Sequence, residues 1–264
     1  MKFPRLFWIL ILLLGFQPME SFAIEDEEVE EEQPRFIIRV QGAPSLGAYQ
    51  LSGSSGFSTT LPLKFGYFAG LDFTYSPRDS ALTFRLTGRH STIIQDGLPA
   101  SITPSTVQIH REQIGFGFLF APFRESSGIF STFKAGISYQ VIGRFANNTS
   151  PNTLVSSALT HGLGADVFWD GKLGRHFKFE TGVNLTLPFY FREITSSSGS
   201  HSLTLSTRGH FTLIYPLTQV LSIGIGFDAR LDWFQYAGSG TRGTVDAHEL
   251  DNAYGVPVEI RFEF

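Results

Sequence analysis

Residues 221–233 read LSIGIGFDARLDW. Taking every second residue splits the stretch in two. Leu221, Ile223, Ile225, Phe227, Ala229, Leu231 and Trp233 fall on one side, and Ser222, Gly224, Gly226, Asp228, Arg230 and Asp232 on the other. Successive side chains of a β-strand point to opposite faces, so an unbroken period of two predicts one long strand with an apolar face and a polar, charged face. Residues 177–192 repeat the division, with Phe177, Phe179, Val183, Leu185, Leu187, Phe189 and Phe191 set against Lys178, Glu180, Gly182, Asn184, Thr186, Tyr190 and Arg192. Strands of this length exceed what a soluble sandwich needs. One face suits lipid and the other water.

Working outward, the same period predicts ten strands, near residues 35–50, 59–76, 80–94, 105–121, 128–145, 156–170, 176–193, 201–215, 219–236 and 249–264. Counts of eight and twelve stay open. The first strand is the weakest, because Gly42, Pro44 and Gly47 interrupt it. The connectors alternate in character. Residues 77–79, 122–127, 171–175 and 216–218 make short turns, whereas 51–58, 95–104, 146–155, 195–200 and 237–247 make longer loops rich in Gly, Ser, Asn and Thr. In a barrel that crosses a membrane, short turns face one side and long loops the other.

The first residues carry Lys2 and Arg5, then an apolar run over 6–16, then a polar stretch ending Ser21-Phe22-Ala23. That pattern reads as a signal peptide, residues 1–23, cleaved after Ala23, since the apolar run is too short to span a hydrocarbon core of roughly 30 Å. The chain has no cysteine, which excludes a lipid-modified N-terminal Cys, disulfides and thiolate metal sites. Seven acids lie between Glu25 and Glu32, so residues 24–34 read as an acidic, solvated periplasmic tail, because clustered like charges offer nothing to bury. With the leader removed the formal charge goes from −4 to −5, and residues 35–264 carry about +2. No later stretch is long and apolar enough for a membrane helix.

The last predicted strand places Tyr254, Val256, Val258, Ile260, Phe262 and Phe264 on one face, and Phe264 is the final residue of the sequence. This resembles the sorting signature of bacterial outer-membrane β-barrels. The resemblance implies a closed antiparallel transmembrane β-barrel over residues 35–264, in the bacterial outer membrane. It also implies contact with outer-membrane lipid and recognition of the terminal strand by the barrel assembly machinery. It reaches the class and no subfamily. Closure has a physical reason: an open sheet edge in lipid leaves N–H and C=O groups unpaired at several kcal/mol each. Tyr75, Phe120, Trp169, Tyr215 and Trp233, near predicted strand ends, would form interfacial girdles.

The faces opposite the apolar ones assign Lys64, Asp72, Arg85, Arg89, Lys134, Arg144, Asp166, Lys178, Glu180, Arg208, Asp228, Arg230, Asp232, Glu259 and Arg261 to the lumen. Charges in a narrow bore must pair or be hydrated. Ten strands lie near the closed end of the size range, while Gly162, Gly164, Gly182, Gly224, Gly226 and Gly255 on the inward face would widen the bore locally or serve packing. The sequence therefore favours, narrowly, a channel for small polar solutes or ions. A closed barrel with a structural, adhesive or surface-recognition role through its loops is the alternative. An outer-membrane hydrolase built on Asp246, His248 and Glu249 comes third, because no second acidic pair accompanies them and His90, His110, His161, His201 and His210 are scattered. The expected reading is thus a protein without enzymatic activity, cofactor or metal. No basic, aromatic-interleaved patch points to nucleic acid. The ligand of the loops is left open.

Overall fold

The computed structural model describes residues 35–52, 58–78, 80–95, 106–124, 132–146, 157–174, 176–193, 200–237 and 248–264. The predicted signal peptide and acidic tail lie outside these residues, as do Asp246 and most of the long-loop residues.

Eleven strands form one sheet: β1 (Arg35–Ser52), β2 (Ser58–Ser76), β3 (Leu82–Gln95), β4 (Val107–Phe120), β5 (Lys134–Ala146), β6 (Ala158–Leu173), β7 (Phe177–Glu193), β8 (Ser200–Pro216), β9 (Leu221–Ala237), β10 (His248–Gly255) and β11 (Val258–Glu263). Each pairs antiparallel with its chain neighbour from β1 through β9. Both β10 and β11 pair with β9 on one side and with β1 on the other. They are two halves of one stave, interrupted at Val256-Pro257. The result is a closed ring of ten staves, and closure removes both sheet edges.

The interruption has a local cause. Proline has no N–H to give a ladder. The pairing of β1 with β11 ends at Gly42↔Val258, and its pairing with β10 resumes at Ser45↔Gly255, so Pro44 falls in the same gap as Pro257. Two residues that would each spoil a ladder are spent at one place. Elsewhere β1, the stave weakest in sequence, is continuous, with one register shift between Gly47 and Tyr49. Gly47 is required there, since a Cβ would lie 1.9 Å from the Ile93 side chain.

Two predicted boundaries move. The fifth stave begins at Lys134 instead of 128, and the sixth runs on to Leu173 instead of ending at 170. Gly174, at φ 68°, then takes the left-handed conformation that opens the turn.

The polarity of the cylinder is reversed relative to a soluble core. Outward residues include Phe65 (77% exposed), Ile137, Leu163, Leu187, Phe189 and Ile225, all apolar and exposed. Tyr254, Val256, Val258, Ile260, Phe262 and Phe264 are likewise all exposed on the outer wall. Tyr75, Phe120 and Tyr215 are exposed at the short-turn end, whereas Trp169 packs edge-on against Phe179 and Trp233 stacks on His248. One stretch departs from the simple alternation. The β6–β7 pairing shifts register at His161/Gly162, so Tyr190 pairs with outward His161 and stacks on it, while Phe191 pairs with inward Thr160 and meets Phe234. Tyr190 and Arg192, predicted inward, therefore face out, and Phe191, predicted outward, faces in. A bulge flips every side chain beyond it.

Candidate functional site

The lumen is where alternation collects the charges. At the short-turn end Glu263 meets Arg35 at 2.8 Å and Lys178 at 3.6 Å, and Lys134 lies 3.9 Å from Asp170. One layer deeper Glu180 accepts from Arg39 at 2.6 Å, from Arg261 at 3.0 Å and faces the His210 ring at 3.2 Å. Glu259 joins them, 3.1 Å from Arg261 and 3.6 Å from Arg39. Asp72 receives Arg85 and Arg89, each at 3.1 Å, and Arg85 also lies over the Phe168 ring. Arg208 grips Asp228 through two nitrogens.

Towards the loop end Asp232 is held by Arg111 at 2.9 Å, by Arg230 at 3.2 Å and by the Ser206 hydroxyl. Arg230 reaches Asp251 at 3.0 Å. Nearest the loops Arg144 pairs with Glu249, whose side chain is fully buried, and lies over Phe234. Asp166 accepts from Asn184 at 2.8 Å, and Lys64 sits half-buried opposite Gly47. All fifteen sequence-assigned lumen charges thus lie on inward positions.

Several contacts join opposite walls. Arg39 on β1 reaches Glu180 on β7, Arg111 on β4 reaches Asp232 on β9, and Arg144 on β5 reaches Glu249 on β10. In a ring of ten staves these are struts near a full diameter. Desolvating a lone charge is costly, so each strut is held by the expense of parting it. The spaces left among them are about 30 and 40 Å³, room for a few waters each. The inward glycines fill the same purpose: a Cβ on Gly182 would meet His210 at 2.6 Å, and one on Gly224 would meet Glu259 at 2.7 Å. They admit neighbouring side chains instead of widening the bore.

An apolar wall turned outward around a charge-paired interior, with no sheet edge left open, decides the class. This is a transmembrane β-barrel. It has the architecture of the bacterial outer-membrane barrels that the terminal strand resembles.

No family profile and no curated protein matches the barrel's sequence. Solved structures that overlay on it include the outer membrane protease OmpT of Escherichia coli (7% identity, 87% of this chain and 97% of that one, TM-score 0.49). Neisserial surface protein A overlays at 12% identity, 87% and 97% coverage and TM-score 0.39. The outer membrane protein OprG of Pseudomonas aeruginosa does so at 14% identity, 89% and 97% coverage and TM-score 0.37. At such identities no residue of the barrel inherits a role from them.

The hydrolytic grouping weighed third around the last loop is not brought together by its described members, His248 and Glu249, and Asp246 lies outside the described residues. His248 is exposed and stacks on outward Trp233, while Glu249 beside it is buried against Arg144. Neighbours on a strand face opposite ways, so the two cannot converge. Sequence reasoning also missed Arg39, Arg111 and Asp251. Their signal was available, because counting back by twos from outward Phe116 and Tyr254 leaves Arg111 and Asp251 inward. It missed as well that His90 and His110, read as scattered, come together on the outer wall with ring centroids 6.1 Å apart.

Proposed function

We propose that this chain is an integral outer-membrane barrel whose bore is closed, and that its activity lies on its loops and outer wall instead of in a conduction path. The observation that carries this reading is the set of ion-pair struts crossing the lumen, Arg39–Glu180, Arg111–Asp232 and Arg144–Glu249. A conducting pore needs charges that bind an ion weakly and release it. Here the described lumen charges bind one another. The sequence reading leaned narrowly to a channel, and the crossing struts favour its alternative.

Outer-membrane placement draws support from the apolar belt, the even number of staves and the outward apolar row from Tyr254 to Phe264. In the same reading the outward row from Tyr254 to Phe264 is the surface that the barrel assembly machinery binds.

The experiment is single-channel recording of refolded protein in a planar bilayer. Wild type is expected to stay silent while folded, and the paired substitution Arg111→Ala with Asp232→Ala, which removes a strut without stranding a charge, is expected to admit ion steps. Discrete conductance in the wild type would overturn the closed-bore reading.

A further inference from the structure

Among the described residues, the outer wall carries a polar cluster on β3 and β4 that the lumen does not explain. On β3, His90 and Thr92 share the outward face, two residues apart. On β4, Glu112 lies directly opposite His90 and His110 opposite Thr92. His90 Nδ1 is 2.5 Å from Glu112 Oε1, and Thr92 Oγ1 is 3.0 Å from His90 Nε2 and 3.0 Å from His110 Nδ1. Towards the short-turn end that face of β4 continues with Ile114, Phe116, Phe118 and Phe120, all exposed, and towards the loops with Gln108. Glu112 is 51% exposed at the upper end of this apolar row.

Of the two directions that these hydrogen bonds allow, one prepares Thr92 for attack. Glu112 accepts from His90 Nδ1–H, which fixes the tautomer and turns the Nε2 lone pair to Thr92. Thr92 donates to Nε2 and accepts from His110 Nδ1–H. A carboxylate orienting an imidazole that faces a hydroxyl is the geometry of an activated nucleophile, recognised by roles and not by chain order. Backbone N–H groups inside a sheet are already committed to the ladder. The donor for an oxyanion must therefore be a side chain, and His110 stands within reach of Thr92.

We propose that Glu112, His90, Thr92 and His110 form a hydrolytic site for acyl esters of membrane lipid, resting on the membrane placement above. Its height fits. Leu82 and Phe120 pair at the short-turn end, and the pair His90–Glu112 lies eight residues further along. At roughly 3.4 Å per residue and a tilt of roughly 40° that is roughly 20 Å, close to the upper rim of an apolar belt about 25 Å tall. Its footing fits as well. Gly88, between Leu71 and Ile114 in the ladder and on the same face as His90, presents no side chain there, which leaves room for an acyl chain beside His90. Thr92 is itself 3% exposed, with Tyr67 opposite it in register and the Tyr67 ring 5.7 Å from His90. Tyr67 is 51% exposed and can swing away as a lid.

In the reaction Thr92 Oγ attacks the ester carbonyl carbon and its proton passes to His90 Nε2. His110 donates to the tetrahedral oxyanion. Collapse breaks the bond to the lipid alcohol, which leaves with the proton from His90. Water from the interface then attacks the acyl-threonine, giving its proton to His90. The fatty acid departs and Thr92 recovers its proton.

The test uses the full refolded chain in detergent micelles containing dipalmitoyl phosphatidylethanolamine, reading palmitate release, with heat-modified gel mobility to certify the barrel. Because micelles separate no compartments, the result is independent of whether the bore conducts. Wild type is expected to release palmitate and to carry a palmitoyl mass adduct. Thr92→Val should abolish both, Thr92→Ser should restore them, and His90→Phe should lower release about 10²–10⁴-fold. Glu112→Gln, a positioning change, should lower kcat with KM unchanged, and Tyr67→Ala should lower KM. Folded wild type without release, or equal release from Thr92→Val, would overturn the proposal.

Discussion

The two faces of β4 make the sharpest contrast in the molecule. Inward stand Ile109, Arg111, Gln113, Gly115, Gly117 and Leu119, and outward His110, Glu112, Ile114, Phe116, Phe118 and Phe120. The inner face is polar at Arg111 and Gln113 and the outer face at His110 and Glu112, yet they satisfy that polarity differently. Arg111 finds Asp232 across the bore, from a stave far away in sequence, whereas Glu112 finds His90 on the adjoining stave. The inner face therefore locks the cylinder across its width, while the outer face makes only local arrangements. Stability is lodged inside, and freedom for chemistry is left outside.

That contrast can be broken in graded steps. The largest effect is expected from Glu180→Ala, which removes the closer of the two carboxylates that Arg39 and Arg261 share and leaves Glu259 to face both. Urea unfolding in micelles should show a loss of about 3–5 kcal/mol. Next comes Leu185→Lys, a charge placed on the lipid side of β7, expected to cost about 2–4 kcal/mol near mid-belt in the same measurement. An equal effect of Leu185→Lys in a water-filled detergent-free refold would show that the wall does not face lipid. The smallest effect is expected from Thr87→Glu, whose side chain enters the small space lined by Arg85 and Arg89, a change of less than about 1 kcal/mol. Gly224→Asp, though inward like Thr87, belongs with the damaging changes, because its Cβ would press on Glu259. If it is tolerated, the lumen is looser than the struts imply.

Much of the fold was written in the alternation of residues such as Ile223 and Asp228, because a period of two carries face and length together. Stave number and lumen membership followed from it. What alternation could not carry was phase beyond an irregularity: the shift at His161/Gly162 turned Tyr190 outward and Phe191 inward, and Pro188, which lies at the shift, marks a place for a bulge without giving the phase beyond it. It also could not carry partners. That Arg39 meets Glu180, or that His90 meets Glu112 and Thr92, depends on register between staves, which a single sequence does not print. The sequence said that lumen charges must pair or be hydrated, but signs of charge were legible and pairings across the bore were not.

The shared gap of Pro44 and Pro257 gives the cylinder a latch. On the β1 side of that gap the ladder stops at Gly42 and restarts at Ser45, so the last junction to be made is stitched in two short runs instead of one. A chain entering a bilayer can fasten the upper run and the lower run independently, and a finished barrel will admit deuterium at Val256, whose amide faces Pro44 across the gap, before it does so at the middle of any uninterrupted junction.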